Sequence, residues 1–243
     1  MVKIKNILCT ILILAAILAP FGGLATGVGN FGASAETVSP SVVTVENESE
    51  LRSAIDEAAG GVPYIIKFND NIRLEKEALI IPGDYNIRLE SGRNPDSGPA
   101  YMLIGAYNAD TIYVNGTLTL GGVTVTHDAF APGRGVFVAS RGKLIIESGG
   151  ISGNAAVNGS GGGVYAEGCL EMYGGAISNN YALNGGGVYI PDNGGASAAI
   201  FGGAAISNNW AWRDGGGIWL SRNNLRMLTV KKDAVFSGNR AYA

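Results

Sequence analysis

The chain has 243 residues, a net charge of −3, one histidine and two cysteines. An acidic balance argues against a surface for nucleic acid or for an anionic membrane, because both of these partners attract clustered lysine and arginine. The length is sufficient for one domain with a sizeable core. Thirty-eight glycines beside a 47% hydrophobic fraction indicate short ordered segments separated by turns rather than disorder.

Residues 1–35 are predicted to be a signal peptide. Lys3 and Lys5 precede an apolar run from Ile7 to Ala19, and Ala33-Ser34-Ala35 offers a small-residue cleavage site. The run is shorter than the roughly 20 apolar residues of a membrane span. We therefore expect a secreted or cell-surface protein, which contacts the membrane only if this segment is retained as an anchor. Cleavage would leave 15 basic and 20 acidic residues, with Cys169 as the single cysteine and no intramolecular disulfide.

Residues 36–61 are predicted to form an N-terminal cap that consists of a strand and a helix. The strand covers Val42–Val45 and the helix Asn47–Ala59, where Asn47 and Glu50 have the spacing of a capping box. Apolar residues recur on one face of this helix, at Leu51, Ile55 and Ala58. We expect the helix to cover the N-terminal end of the domain that follows.

From residue 62 onward the pattern changes to short β-runs bounded by glycine, proline, asparagine or aspartate. Residues 91–100, which contain two prolines and two glycines, are predicted to be a loop. Period-two alternation is plainest in Thr117-Leu118-Thr119-Leu120 and in Val123-Thr124-Val125-Thr126, which predicts strands with one apolar face.

Two phrases recur in the second half of the chain. A glycine phrase has the copies Gly161-Gly162-Gly163-Val164-Tyr165, Gly185-Gly186-Gly187-Val188-Tyr189 and Gly215-Gly216-Gly217-Ile218-Trp219. An asparagine phrase ends at Asn154, Asn180, Asn209 and Asn239, at spacings of 26, 29 and 30 residues. A repeat of this length, rich in glycine and β-formers, predicts a solenoid in which each repeat is one coil. The predicted fold class is all-β, a parallel β-helix over residues 62–243 with a short N-terminal capping helix.

Each coil is predicted to contain three strands of about four residues each, joined by three corners. Corresponding strands of successive coils then pair in parallel, with their apolar residues stacked inside the solenoid. The three predicted apolar columns are Leu144/Leu170/Ala199/Leu228, Val136/Val164/Val188/Ile218 and Ile151/Ile177/Ile206/Phe236.

The repeated asparagines are predicted to form an internal ladder. Stacked one coil apart, each side-chain amide can donate to the side-chain carbonyl of the next and so satisfy buried corner groups. The alternative is that each is a solvated turn residue. Four asparagines in register favour the ladder, whose members are Asn154, Asn180, Asn209 and Asn239.

The repeat Ile177-Ser178-Asn179-Asn180-Tyr181-Ala182, followed by Gly185-Gly186-Gly187-Val188-Tyr189, resembles the repeats of bacterial adhesin-like surface proteins with a pectate-lyase-like β-helix. It is also similar to the FxxN and GGAI repeats of chlamydial polymorphic outer membrane proteins, and Phe236-Ser237-Gly238-Asn239 matches the first of these. The resemblance covers nearly all of the mature chain. It implies a right-handed β-helix with an adhesin-like role, although this fold serves many functions.

No catalytic residue, metal site or cofactor is expected. The six acids of residues 133–243 are scattered, whereas glycoside hydrolysis needs two carboxylates about 5 to 9.5 Å apart. Of these acids, only Glu147 and Glu171 are expected to share a column. His127, without a second histidine or a nearby cysteine, is expected to lie in a surface loop rather than to bind a metal. Solvated positions are expected for Arg134, Arg141 and Lys143.

The candidate binding residues are aromatic. If the aliphatic residues of the glycine-phrase strands point inward, alternation places Phe137, Tyr165, Tyr189 and Trp219 outside as a column. Exposed rings can stack on sugars or on partner surfaces. The alternative is that the rings pack on one another and protect the sheet. Three aromatic residues at the neighbouring corner would widen such a surface, namely Tyr181, Trp210 and Trp212.

The sequence thus favours a non-catalytic, secreted or surface-displayed module that binds a glycan or a cell-surface protein. The alternative is a polysaccharide lyase or glycoside hydrolase of the pectate-lyase-like fold, or an inactive glycan-binding relative. After Asn239 the chain stops before another glycine phrase. We therefore expect a β-helix truncated at its C-terminal end, either a fragment of a longer surface protein or one whose open end a partner covers.

Overall fold

The computed structural model describes residues 40–58, 60–93, 99–129, 131–192, 195–222 and 227–242. The predicted signal peptide and the first residues of the predicted cap lie outside these ranges, as do residues 94–98 of the predicted loop. Within the described residues, no helix has both the length and the apolar character needed to cross a membrane.

The N-terminal strand β1 (Ser41–Val45) leads into α1 (Glu48–Glu57), the one α-helix of the described residues. Its start is fixed by side chains, as the capping spacing predicts. The Asn47 Oδ1 atom accepts a hydrogen bond from the Glu50 amide at 3.0 Å, and the Glu50 carboxylate accepts one from the Glu46 amide at 2.8 Å. The apolar face of α1 joins the main core through the buried residues Leu51, Ala54 and Ile55.

All other elements are short strands, paired in parallel into three sheets. The first sheet contains β1, β2 (Pro63–Phe68), β3 (Ile72–Arg73), β5 (Asn86–Ser91), β6 (Met102–Ile104), β8 (Thr117–Thr126), β10 (Lys143–Ser152), β13 (Cys169–Met172), β14 (Ala176–Ser178), β17 (Ser197–Ile200), β18 (Ala205–Ser207), β21 (Leu228–Val230) and β22 (Val235–Ser237). The second contains β4 (Leu79–Ile81), β7 (Ile112–Val114), β9 (Val136–Val138), β12 (Val164–Ala166), β16 (Val188–Ile190) and β20 (Ile218–Leu220). The third contains β11 (Ala155–Ser160), β15 (Tyr181–Asn184), β19 (Trp210–Ala211) and β23 (Arg240–Ala241).

These strands wind into a parallel β-solenoid of about seven turns, which confirms the predicted fold class. The prediction of three strands per coil was wrong, because a full coil has four. The coil that begins at the first copy of the glycine phrase, for example, runs through β12, β13, β14 and β15. The fourth strand follows the asparagine corner, and its inward residue is a small one, Ala182 or Ala211, both fully buried. Alanine gives a weak alternation signal, so the sequence does not distinguish this strand from a corner.

Two of the predicted apolar columns have the register that the sequence indicates. Val136, Val164, Val188 and Ile218 are aligned partners, and so are Ile151, Ile177, Ile206 and Phe236. The remaining column was wrong by one residue in one coil, since Leu170 pairs with Ala198 and Met172 with Ile200. Ala198 and Ile200 are the buried residues of that strand, and a one-residue shift exchanges the inner and outer faces.

The glycine phrase is required by the close stacking of coils, as its second copy shows. Gly185 has a φ of +62°, a left-handed conformation that glycine adopts without strain. A Cβ on Gly186 would collide with the backbone carbonyl of Trp210 in the next coil. A Cβ on Gly187 would lie 2.5 Å from the carbonyl oxygen of Gly217. Gly185 is therefore required by its backbone conformation, whereas Gly186 and Gly187 are required by the close approach of the neighbouring coil.

Candidate functional site

The four predicted ladder asparagines meet inside the solenoid, at the corner between the first and third sheets. The Nδ2 atom of Asn154 donates to Asn180 Oδ1 at 2.9 Å, and the same bond joins Asn180 to Asn209 at 3.0 Å. Asn209 donates to Asn239 at 3.0 Å. The backbone amide of each of the first three also donates to the Oδ1 of the next, at 3.0 Å. Asn154, Asn180 and Asn209 are buried, with 1% exposure or less, and Asn239 is half-buried. The ladder is therefore a structural feature of the solenoid interior.

His127 extends this ladder by one coil, which corrects the expectation of a surface loop. Its side chain is buried, with 5% exposure. Its Nδ1 atom lies 2.8 Å from Asn154 Oδ1 and its Nε2 atom 3.0 Å from the carbonyl oxygen of Ala109. His127 precedes Asn154 by 27 residues, within the spacing of the repeat. That spacing was the signal that could have placed it inside.

Two of the three basic residues expected to be solvated form ion pairs instead. Arg134 pairs with Asp110 at 3.0 Å, and its guanidinium lies 4.9 Å from the ring centroid of Tyr165. Lys143 pairs with Glu171 at 3.0 Å. In both cases parallel coils bring residues about one repeat apart onto one outer face, where the charges meet. Arg141 is exposed.

The expectation that Glu147 and Glu171 share a column was also wrong. Glu171 is aligned with Ile145 of the preceding coil. Glu147 instead accepts a 2.7 Å hydrogen bond from Arg88, whereas Glu171 is 4% exposed and accepts one from the Tyr173 hydroxyl at 3.1 Å. Each of these carboxylates thus has its own positively charged or hydroxyl partner.

The predicted aromatic column lies on the outer face of the second sheet and is one ring longer than expected. Tyr113, Phe137, Tyr165, Tyr189 and Trp219 are register partners in successive coils, and all are half-buried. Tyr113 was missed because the glycine phrase that marks the other members does not precede it.

The column rings cover one another's faces. Neighbouring centroids are 4.4 to 5.2 Å apart, and three of the four pairs are stacked with interplanar angles of 9° to 11°. A sugar stacks on the face of a ring, and here each inner ring has a neighbour on both faces. Burial accordingly raises the pKa of the Tyr165 and Tyr189 hydroxyls. The geometry favours rings that pack on one another and protect the sheet.

A second aromatic surface lies on the outer side of the third sheet. We call Trp210, Trp212 and Tyr242 the aromatic cluster. Trp210 is 39% exposed, Trp212 54% and Tyr242 60%. The Tyr242 ring is 5.3 Å from Trp210 at an interplanar angle of 48°, and 5.7 Å from Trp212 at 27°. Tyr181 contacts Trp210 edge-on at 5.5 Å. Tyr242 was not predicted as a binding residue, because it lies in the last described coil, outside the glycine and asparagine phrases.

The two aromatic surfaces are separate. The column belongs to the second sheet and the cluster to the third, and among the described residues no ring contact joins them. Of the seven aromatic candidates, the structure groups Trp210 and Trp212 with Tyr181. It places the other four in the packed column, namely Phe137, Tyr165, Tyr189 and Trp219.

The described part of the chain contains no group of three or more histidine, cysteine, aspartate or glutamate side chains that could hold a metal ion. Comparison with known proteins gave no match to a family model, to a curated protein or to a solved structure. The assignment of function therefore depends on the surfaces of this molecule itself.

Proposed function

We propose that this chain is a non-catalytic, adhesin-like β-helix module that binds carbohydrate at the aromatic cluster, and that it is secreted or displayed on a cell surface. The observation that carries the proposal is the exposure of Trp212 and Tyr242, each more than half accessible and each directly after a strand of the third sheet. Large exposed aromatic groups are typical of binding surfaces. A sheet that already holds the rings in place reduces the ordering cost of binding.

The carboxylates of the central coils favour binding over catalysis. Glu147 and Glu171 are engaged with Arg88 and Lys143, and Glu167 accepts a hydrogen bond from the Ser140 hydroxyl at 3.1 Å. Glycosidases instead use two facing carboxyl groups, one of them available to protonate the leaving group. The polysaccharide lyase or hydrolase alternative has no comparable feature on these coils in its favour.

The test is binding of the secreted chain to a panel of immobilised oligosaccharides, followed by titration with each one that binds. We expect Trp212→Ala to weaken binding about tenfold, because one stacking ring is lost. Tyr165→Phe is the matched control: it removes only a hydroxyl from the packed column and should leave the affinity unchanged.

Unchanged affinity in a folded Trp212→Ala variant, or the absence of any binding, would contradict the proposal. The same incubations are assayed for new reducing ends and for unsaturated sugars. Product from the wild-type chain would establish the enzymatic alternative.

A further inference from the structure

The aromatic cluster contains one positive charge. Arg240 is the register partner of Trp210 in the parallel pair of β19 and β23, and side chains of such partners project from the same face of a sheet. Tyr242 lies two residues further along and therefore projects from that face too. The surface thus has two rows, with Trp210 and Trp212 in one coil and Arg240 and Tyr242 in the next.

Arg240 differs from the ion-paired arginines of this protein. Its side chain is exposed, and within the described residues no aspartate or glutamate forms a salt bridge with it. Arg88 and Arg134, in contrast, each pair with an acid on the outer face of the solenoid. At the positions equivalent to Arg240 in the three preceding coils, the third sheet has the uncharged residues Ala155, Tyr181 and Trp210.

We propose that the carbohydrate bound at the aromatic cluster is acidic, with a carboxylate or sulfate group that pairs with Arg240 while its sugar ring lies on Trp212 or Tyr242. This inference rests on the proposed function and adds the charge of the ligand. A guanidinium offers two parallel N–H donors to the oxygens of such a group. The rings provide an apolar platform beside it, so Arg240 and the aromatic cluster together recognise both parts of an acidic sugar.

The experiment compares three oligosaccharides of the same length and backbone: neutral, carboxylated and sulfated. Wild-type protein should bind at least one of the acidic forms more tightly than the neutral form, and this preference should shrink as the salt concentration rises. Arg240→Gln should weaken binding of the preferred acidic form roughly threefold to fivefold, the upper part of the range for an exposed ion pair. Its affinity for the neutral form should not change.

Arg141→Gln is the matched control, since Arg141 is another exposed arginine, located at the turn between β9 and β10. It should retain the full acidic preference. Equal wild-type affinity for neutral and acidic forms, or an undiminished preference in Arg240→Gln, would overturn the acidic-sugar inference. A Trp212→Ala variant that loses affinity for all forms would then still support the proposed function. Unchanged binding in Trp212→Ala would remove the proposed function as well.

Discussion

Removal of one rung of the asparagine ladder tests the energetic basis of the fold. In Asn180→Ala the lost side chain accepts from the Asn154 amide at 3.0 Å and from Asn154 Nδ2 at 2.9 Å, and it donates to Asn209 Oδ1 at 3.0 Å and to the Ile151 carbonyl at 2.9 Å. Asn180 is 1% exposed, so water does not replace these bonds.

The partners of Asn180 are affected unequally. Asn154 Nδ2 keeps a 3.3 Å bond to the Val125 carbonyl, and Asn209 Oδ1 keeps the bond from the Asn180 backbone amide. The Asn154 amide loses the Asn180 oxygen, and an unsatisfied buried donor costs about 1–3 kcal/mol. With the weakened remaining bonds, we expect the free energy of unfolding to fall by about 2–4 kcal/mol.

Denaturant unfolding followed by circular dichroism measures this loss. Asn158→Ala is the control, because Asn158 is an exposed asparagine of β11 and its replacement should change stability by less than about 0.5 kcal/mol. Asn180→Asp keeps the shape of the side chain but replaces its donor, and it should be at least as destabilising as Asn180→Ala. A loss below about 0.5 kcal/mol in Asn180→Ala would refute the argument that the ladder contributes to stability.

Two further predictions concern the glycine phrase and the aromatic column. Gly186→Ala places a methyl group against the backbone of the next coil and should destabilise the chain by about 1–3 kcal/mol or more, whereas Gly83→Ala, which meets open space, should be nearly neutral in the same denaturant melt. Burial raises the pKa of Tyr189, so its contribution to stability is complete below the ordinary tyrosine pKa of about 10 and is lost as pH rises through the folded-state pKa. The denaturant concentration at the unfolding midpoint should therefore decrease as the pH is raised from about 9 to about 11. The decrease should be smaller in Tyr189→Phe. An equal decrease in both proteins would show that Tyr189 does not contribute.

The sequence was sufficient for the solenoid because close packing requires particular residues at fixed positions in each coil. Asn179 and Asn208 have φ values of +56° and +54°, and Gly153 occupies the same corner position at +73°. Glycine adopts this conformation readily, and asparagine and aspartate adopt it more often than other residues. The corner is therefore recognisable in the four repeats that carry a ladder asparagine, where the glycine or asparagine directly precedes Asn154, Asn180, Asn209 and Asn239.

The features of the fold and of the site that the sequence did not predict lie mainly where the repeat changes in length or in residue type. The coil that contains β17 is longer than the one before it, and this shifted the predicted alignment of Ala199 by one residue. His127 replaces asparagine at the ladder position, so the residue type conceals the repeat while the spacing retains it. Ion pairs such as Arg88 with Glu147 join residues 59 positions apart, and only the three-dimensional stacking of coils brings such residues together.

The difference between packed and exposed rings is the reason for expecting a ligand at the aromatic cluster rather than at the aromatic column. Parallel coils repeat at about 4.7–4.9 Å, a spacing that suits the centroid separation of stacked rings, and the column rings accordingly cover each other's faces. In the third sheet the register partner of Trp210 is Arg240, and the cluster rings meet at 27° to 48°. The packed column thus stabilises the sheet, whereas the cluster rings remain 39% to 60% exposed even though Trp212 and Tyr242 contact each other. On this solenoid we therefore expect ligands to bind at the exposed rings of the cluster rather than at the packed column.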